Sequence, residues 1–177
     1  SFAVLTDPRF AHVFTDEELD VARRHVPWTR RVREGDVEVD GERVPMRTYL
    51  LEQRDALVLK PNDDYGGHGV TVGYATDGDT WTRAVETAFA GSWVVQRRLP
   101  ARAESVPHFD DAGRVTSSTL TVDFNPFVFD GRVEGGMVRL SGTPLSNVSA
   151  GGGETAVAVI DVDRADGGAD FLRSGTE

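Results

Sequence analysis

Apolar positions along the chain follow a helical period in some stretches and alternate in others. Residues 8–14 (PRFAHVF) read as a short helix. Thr15-Asp16-Glu17-Glu18 sets an N-cap hydroxyl three residues ahead of a glutamate. That capping box predicts a helix to about Val26, which Pro27 stops. Residues 36–44 (DVEVDGERV) form two alternating runs around Asp40-Gly41 and predict a β-hairpin. Pro45, at a first helical position, predicts a helix to about Arg54 with Met46, Tyr49 and Leu50 on one face. Residues 57–60 (LVLK) predict a buried strand, 61–69 (PNDDYGGHG) a loop, and Val70 to Gly73 a second strand. Asp79 to Ala90 is amphipathic, with Trp81, Val85, Ala88 and Phe89 on its apolar side, and Gly91 ends it. Trp93 to Leu99 predicts a strand, and the polar residues 100–114 a loop or ragged hairpin. Ser118–Phe129 and Val133–Ser141 predict a long hairpin turning at Asp130-Gly131. Residues 142–153 read as a loop, Ala156–Val162 as a last strand, and the chain beyond Asp163 as a frayed polar tail. Mixed helices, strands and hairpins indicate an α+β or α/β domain.

Charge narrows the partners. The net charge of −10 disfavours nucleic acid, whose backbone needs clustered Lys and Arg. A nucleotide needs only a local positive site. With no cysteine there are no disulfides and no thiolate metal sites. No apolar run approaches the about 18 residues that span a bilayer, and no signal peptide is visible. The expected setting is the cytoplasm, with no membrane partner. The chain begins with Ser1 rather than Met and reads as a piece of a longer protein. Of its 19 basic residues, 19 − 18 arginines leaves one lysine, Lys60. A lysine that persists among arginines suggests a place where a compact point charge is needed and a flat fork will not serve.

Three segments carry candidate chemistry. In Leu57-Val58-Leu59-Lys60-Pro61, a strand delivers Lys60 to its end, and Tyr65-Gly66-Gly67-His68-Gly69 follows. Glycines let backbone N–H groups approach phosphate oxygens, with the lysine charge beside them. A strand follows the turn, so this is neither a Walker loop nor a dinucleotide fingerprint. A plain glycine-rich hairpin fits the same residues. In Trp93-Val94-Val95-Gln96, an apolar strand ends on an amide that can donate and accept, as beside an adenine ring; ordinary core fits it as well. Arg139 alternates onto one strand face with Met137 and Ser141, ahead of Asn147 and a run of glycines at 151–153. A half-buried arginine needs an anion, which a protein carboxylate or a ligand phosphate would supply.

Together, "LVLKPNDDYGGHGV", "WVVQRRLP" and "VDFNPFVFDGRVEGGMVRLSGTPLSNVSAGGG" resemble the ATP-grasp superfamily, specifically its circularly permuted, glutathionylspermidine-synthetase-like branch (circularly permuted ATP-grasp type 2). "FAVLTDPRFAHVFTDEE" and "VPWTR" extend the likeness over about residues 1 to 160. The resemblance implies two small α+β lobes with an antiparallel sheet and a glycine-rich lid. It divides the chain into a helical lead-in with a hairpin at 1–56, a nucleotide-binding region at 57–160 and a polar tail at 161–177. It implies ATP and Mg²⁺ as cofactors and an ATP-dependent ligase joining a carboxylate to an amine through an acyl-phosphate. The substrate would be a small molecule or peptide bearing those groups. This chain would be the C-terminal part of such an enzyme, working with the upstream part of the polypeptide. The resemblance also implies roles for single residues. Lys60 would contact the phosphates, under a lid of Tyr65, Gly66, Gly67, His68 and Gly69. Val95 and Gln96 would sit at the adenine hinge. Arg139 and Asn147 would face the γ-phosphate and the acyl-phosphate.

In permuted relatives acidic metal ligands precede the lysine strand. Nothing before Lys60 here forms such a spaced set, and Asp16, Glu17 and Glu18 fit a helix N-terminus. Asp123 and Asn125 share one strand face and are the remaining metal candidate. The rival to a ligase is a nucleotide-binding or scaffold domain that keeps the loop and lacks metal ligands. Lys60 is expected at a strand end, within reach of Arg139 across one cleft.

Overall fold

Two four-stranded antiparallel sheets, a small hairpin and four α-helices make up the computed structural model, which describes residues 2–110, 112–145, 152–155 and 157. The chain is thus of mixed α+β class with antiparallel sheets. The first sheet has the order β1 (Thr29–Arg31), β6 (Trp93–Arg97), β4 (Leu57–Pro61), β5 (Thr71–Val72). Leu57, Leu59 and Val95 alternate onto one face of it and are fully buried. Helices α3 (Met46–Glu52) and α4 (Gly78–Ala90) bring Met46, Leu50, Trp81, Val85 and Ala88 to the same core. Trp81 is the largest of these side chains, and its Nε1 donates to Leu50 O at 2.8 Å, so its one polar atom is satisfied inside the core. The hairpin β2 (Asp36–Val39) and β3 (Glu42–Pro45) adds Val37 and Val39.

Helix α1 (Phe2–Thr6) is tied to the β1 edge: Thr6 Oγ1 donates to Thr29 O at 2.8 Å. The capping box on α2 (Asp16–His25) is present in both directions: Glu18 N donates to Thr15 Oγ1 and Thr15 N to Glu18 Oε2.

The second sheet has the order β10 (Gly152–Thr155), β9 (Arg132–Ser141), β8 (Val115–Phe129), β7 (Ala103–Phe109). It carries no helix of its own among the described residues. Its described apolar side chains are half-buried or exposed, Ser141 being its one buried residue.

Several elements differ from the sequence expectations. Residues 103–109 form an edge strand that pairs with the start of β8, so the stretch takes the hairpin rather than the loop expected over 100–114; Pro107 is tolerated because an edge strand has one side that needs no N–H. The expected strand from Val70 to Gly73 shrinks to two residues, and Gly73 opens a 3-10 turn instead. A Cβ at Gly73 would lie 1.8 Å from Arg54 O, so only glycine lets these two turns meet. The helix after Pro45 ends at Glu52, with residues 54–56 in a 3-10 turn. Gly152 and Gly153 pair with Ser141 and Leu140 and so belong to a strand. The strand expected over 156–162 and the tail beyond lie outside the described residues.

Candidate functional site

Lys60 stands at the penultimate position of β4. Alternation sends it to the face of the first sheet opposite Leu57 and Leu59, away from the helices. On that face its Nζ donates to Gln96 Oε1 at 2.6 Å, and Gln96 Nε2 donates to Thr29 Oγ1 at 3.0 Å. Thr29 Oγ1 in turn donates to Pro27 O at 2.8 Å. These side chains form a polar relay across β4, β6 and β1, with Gln96 only 9% exposed.

The ammonium has no carboxylate partner among the described residues; its acceptor is a neutral amide. Burial disfavours the charged form and lowers the Lys60 pKa from its ordinary value. A half-buried cation that meets only a dipole is an incomplete electrostatic arrangement, one that an anion on this face would complete.

The glycine loop starts immediately after β4. Gly66 and Gly67 have φ of 66° and 77°, and His68 N donates to Tyr65 O at 3.2 Å, the pattern of a type I′ turn. Gly69 at φ 68° and a bond from Val70 N to Gly67 O continue it as a type II turn. All three positions require φ values that only glycine adopts without strain. A Cβ at Gly69 would also lie 2.7 Å from Pro61 Cγ, which fixes the loop's close return over the end of β4. Tyr65, 82% exposed, stacks on the His68 ring at 5.7 Å and 24°.

Val95 and Gln96 do not offer the groups a hinge needs. Strand β6 is interior, flanked by β1 and β4, so its backbone pairs on both sides. Val95 points into the core, and the Gln96 amide is committed at both ends to Lys60 and Thr29. The chain leaves this ladder after Arg98, whose N–H donates to Ala56 O, and Leu99 follows at 64% exposure.

Arg139 lies on β9 in the second sheet, opposite Asp123 on β8 and Glu154 on β10. Its Nη2 donates to Asp123 Oδ2 at 2.6 Å and to Asn125 Oδ1 at 3.2 Å. This corrects the metal candidate: the guanidinium already fills the space between Asp123 and Asn125. Among the described residues no group of three or more His, Asp or Glu is placed to hold a metal ion. Asn147 lies outside the described residues. Lys60 and Arg139 sit on different sheets, each with its own partner.

One cation escaped the sequence reading. Arg31 on β1 and Lys60 on β4 are both paired with Val94 on β6, so all three side chains share the face of the relay. The signal was present in the alternation of Thr29 and Arg31. A three-residue strand after a proline is too short for that alternation to stand out.

Comparison with protein-family models, with curated proteins and with solved structures finds no match.

Proposed function

We propose that the chain is the nucleotide-binding part of an ATP-dependent carboxylate–amine ligase of ATP-grasp type. The observation that carries this reading is Lys60: a half-buried ammonium with a neutral acceptor, at the strand end from which the glycine loop departs. Bound ATP would supply the γ-phosphoryl group that converts a carboxylate into an acyl-phosphate open to attack by an amine. Lys60 would place its charge on the phosphates, and the turns at Gly66, Gly67 and Gly69 would bring backbone N–H groups close to them. Gln96 and Thr29 hold the ammonium in place beforehand, so little ordering remains to be done on binding. The base would meet the crossing after Arg98, where Leu99 offers an apolar contact, rather than Gln96 itself. Arg139, whose charge Asp123 already meets, would face the γ-phosphate only by sharing that ion pair. A ligase that consumes ATP would work in the cytoplasm.

Among the described residues Mg²⁺ does not find a ligand set, because Asp123 and Asn125 are engaged by Arg139. Its ligands would come from elsewhere in the polypeptide. The same observation favours a second reading, a non-catalytic nucleotide-binding scaffold of this fold. ADP release that depends on an added acid and amine separates the two.

Calorimetric titration of Lys60→Arg with Mg-ATP tests the shared core of both readings. The variant keeps the charge and stem but carries a wider, planar head, and affinity should fall by roughly ten- to a hundredfold. Equal affinity in the two proteins would refute the phosphate role.

A further inference from the structure

Four Asp-Gly pairs occur in the chain, and three of them lie in the described residues: Asp40-Gly41, Asp77-Gly78 and Asp130-Gly131. Two of these three carboxylates are held. Asp77 caps α4, its Oδ1 accepting from Thr80 N at 2.9 Å. Asp40 Oδ2 accepts from Arg97 Nη2 at 2.7 Å. The Asp40 turn is also braced, since Val37 and Val39 are buried in the core and Glu38 O accepts from Trp28 Nε1 at 2.9 Å. The Asp130 carboxylate makes no ion pair or hydrogen bond among the described residues. Every residue from Pro126 to Glu134 is exposed, and Glu134 is an extra residue in the ladder, between the pairs Phe127–Gly135 and Val128–Val133. The end of the β8–β9 hairpin is thus the least braced of the three sites.

We infer that Asp130-Gly131 is a site of spontaneous isomerisation to isoaspartate, from which Arg97 protects Asp40 and the α4 cap protects Asp77. The Gly131 nitrogen forms a bond to Asp130 Cγ. The carboxyl hydroxyl leaves with the amide proton as water, and a succinimide ring remains. A second water opens the ring at either carbonyl. One opening restores aspartate, and the other leaves the main chain running through Cβ and Cγ. One water is lost and one gained, with no other reactant. Glycine permits the attack because no Cβ crowds its nitrogen. Asp130 has φ 47° and Gly131 φ 73° between the paired residues Phe129 and Arg132, the geometry of a type I′ turn. A ψ of about +30° at the first central residue of such a turn sets its Cβ nearly opposite the next nitrogen across the Cα–C bond, so the ring closes only when the turn opens. The rate therefore follows local opening, which costs least where no side chain is anchored. Isoaspartate carries an extra main-chain carbon in a loop with no room for it, so the Phe129–Arg132 pair loses its register.

Peptide mapping of the whole folded chain, aged at neutral pH and read by fragmentation that separates isoaspartate from aspartate, tests the inference. Asp130 should convert at least about fivefold faster than Asp40 and Asp77. In the chain aged in urea, where turns, cap and ion pair are gone, the three rates should agree within about twofold. Arg97→Gln should raise the Asp40 rate of the folded chain by about two- to fivefold and leave the Asp130 rate unchanged. Equal rates at the three sites in the folded chain, no conversion at Asp130, or an Asp40 rate unmoved by Arg97→Gln would overturn the inference.

Discussion

Gln96→Glu puts the phosphate role of Lys60 to a demanding test, because it leaves the lysine in place. Gln96 Oε1 accepts from Lys60 Nζ at 2.6 Å, so glutamate at 96 sets a carboxylate oxygen against the ammonium with no change of shape. Its second oxygen takes the place of Gln96 Nε2, loses that donor, and meets the Thr29 hydroxyl, which must turn from Pro27 O to donate to it. The new ion pair offsets part of the carboxylate's desolvation, and one acceptor, the new carboxylate or Pro27 O, is left without its donor, so folding stability should fall by about 1–3 kcal/mol. Nucleotide binding should not survive as well. A unit negative charge about 5 Å from a phosphate costs about 3 kcal/mol at an effective dielectric near 20, and salt and solvent reduce that figure. We expect Mg-ATP affinity to drop by roughly ten- to a hundredfold. Isothermal titration of both proteins at two salt concentrations reads the loss, and urea denaturation confirms the fold. A folded Gln96→Glu variant with wild-type affinity would show that phosphates do not bind on this face.

Further outcomes follow from the same geometry. Hydrogen exchange over residues 63–69, where the side chains are exposed, should slow when Mg-ATP is added; unchanged exchange at saturation would exclude the loop from the site. Gly73→Ala should destabilise the protein by about 3 kcal/mol or more in urea denaturation, since its Cβ would meet the Arg54 carbonyl oxygen at 1.8 Å and backbone must move. Burial lowers the Lys60 pKa, so Mg-ATP affinity should be lost as pH rises through that lowered value, before an ordinary lysine near 10.5 would titrate. Over the same window the free protein should gain stability with pH, because the unfolded lysine binds the proton more tightly than the folded one. Lys60→Met should remove both trends.

The parts of the fold with strong local signals were legible in the sequence. The capping box at Thr15, the Asp40-Gly41 and Asp130-Gly131 turns and the amphipathic stretch ending at Ala90 all form as their chemistry dictates. Lys60 stands at a strand end ahead of the loop, as its sequence context implied. What stayed hidden depends on partners distant in sequence. Residues 103–109 are a strand because β8 supplies a ladder, and Gly73 breaks its strand because Arg54 packs against it. Gln96 was legible as a polar strand end. That its amide would be occupied by Lys60 and Thr29 required the order of three strands. Asp123 and Asn125 looked like metal ligands until Arg139 paired with them from the next strand.

The uneven distribution of buried apolar groups bears on how this chain unfolds. Trp81, Val85, Leu50 and their neighbours tie the first sheet to its helices, whereas the described part of β7–β10 buries no apolar side chain. Hydrophobic burial is the main favourable term in folding, so the two sheets hold together with different free energies. The imbalance among the described residues predicts unfolding in steps, the long β8–β9 hairpin parting first, which residue-resolved hydrogen exchange in urea would read. Any ligand that spans both sheets would couple them, turning a stepwise transition into a cooperative one and raising the lower midpoint the more.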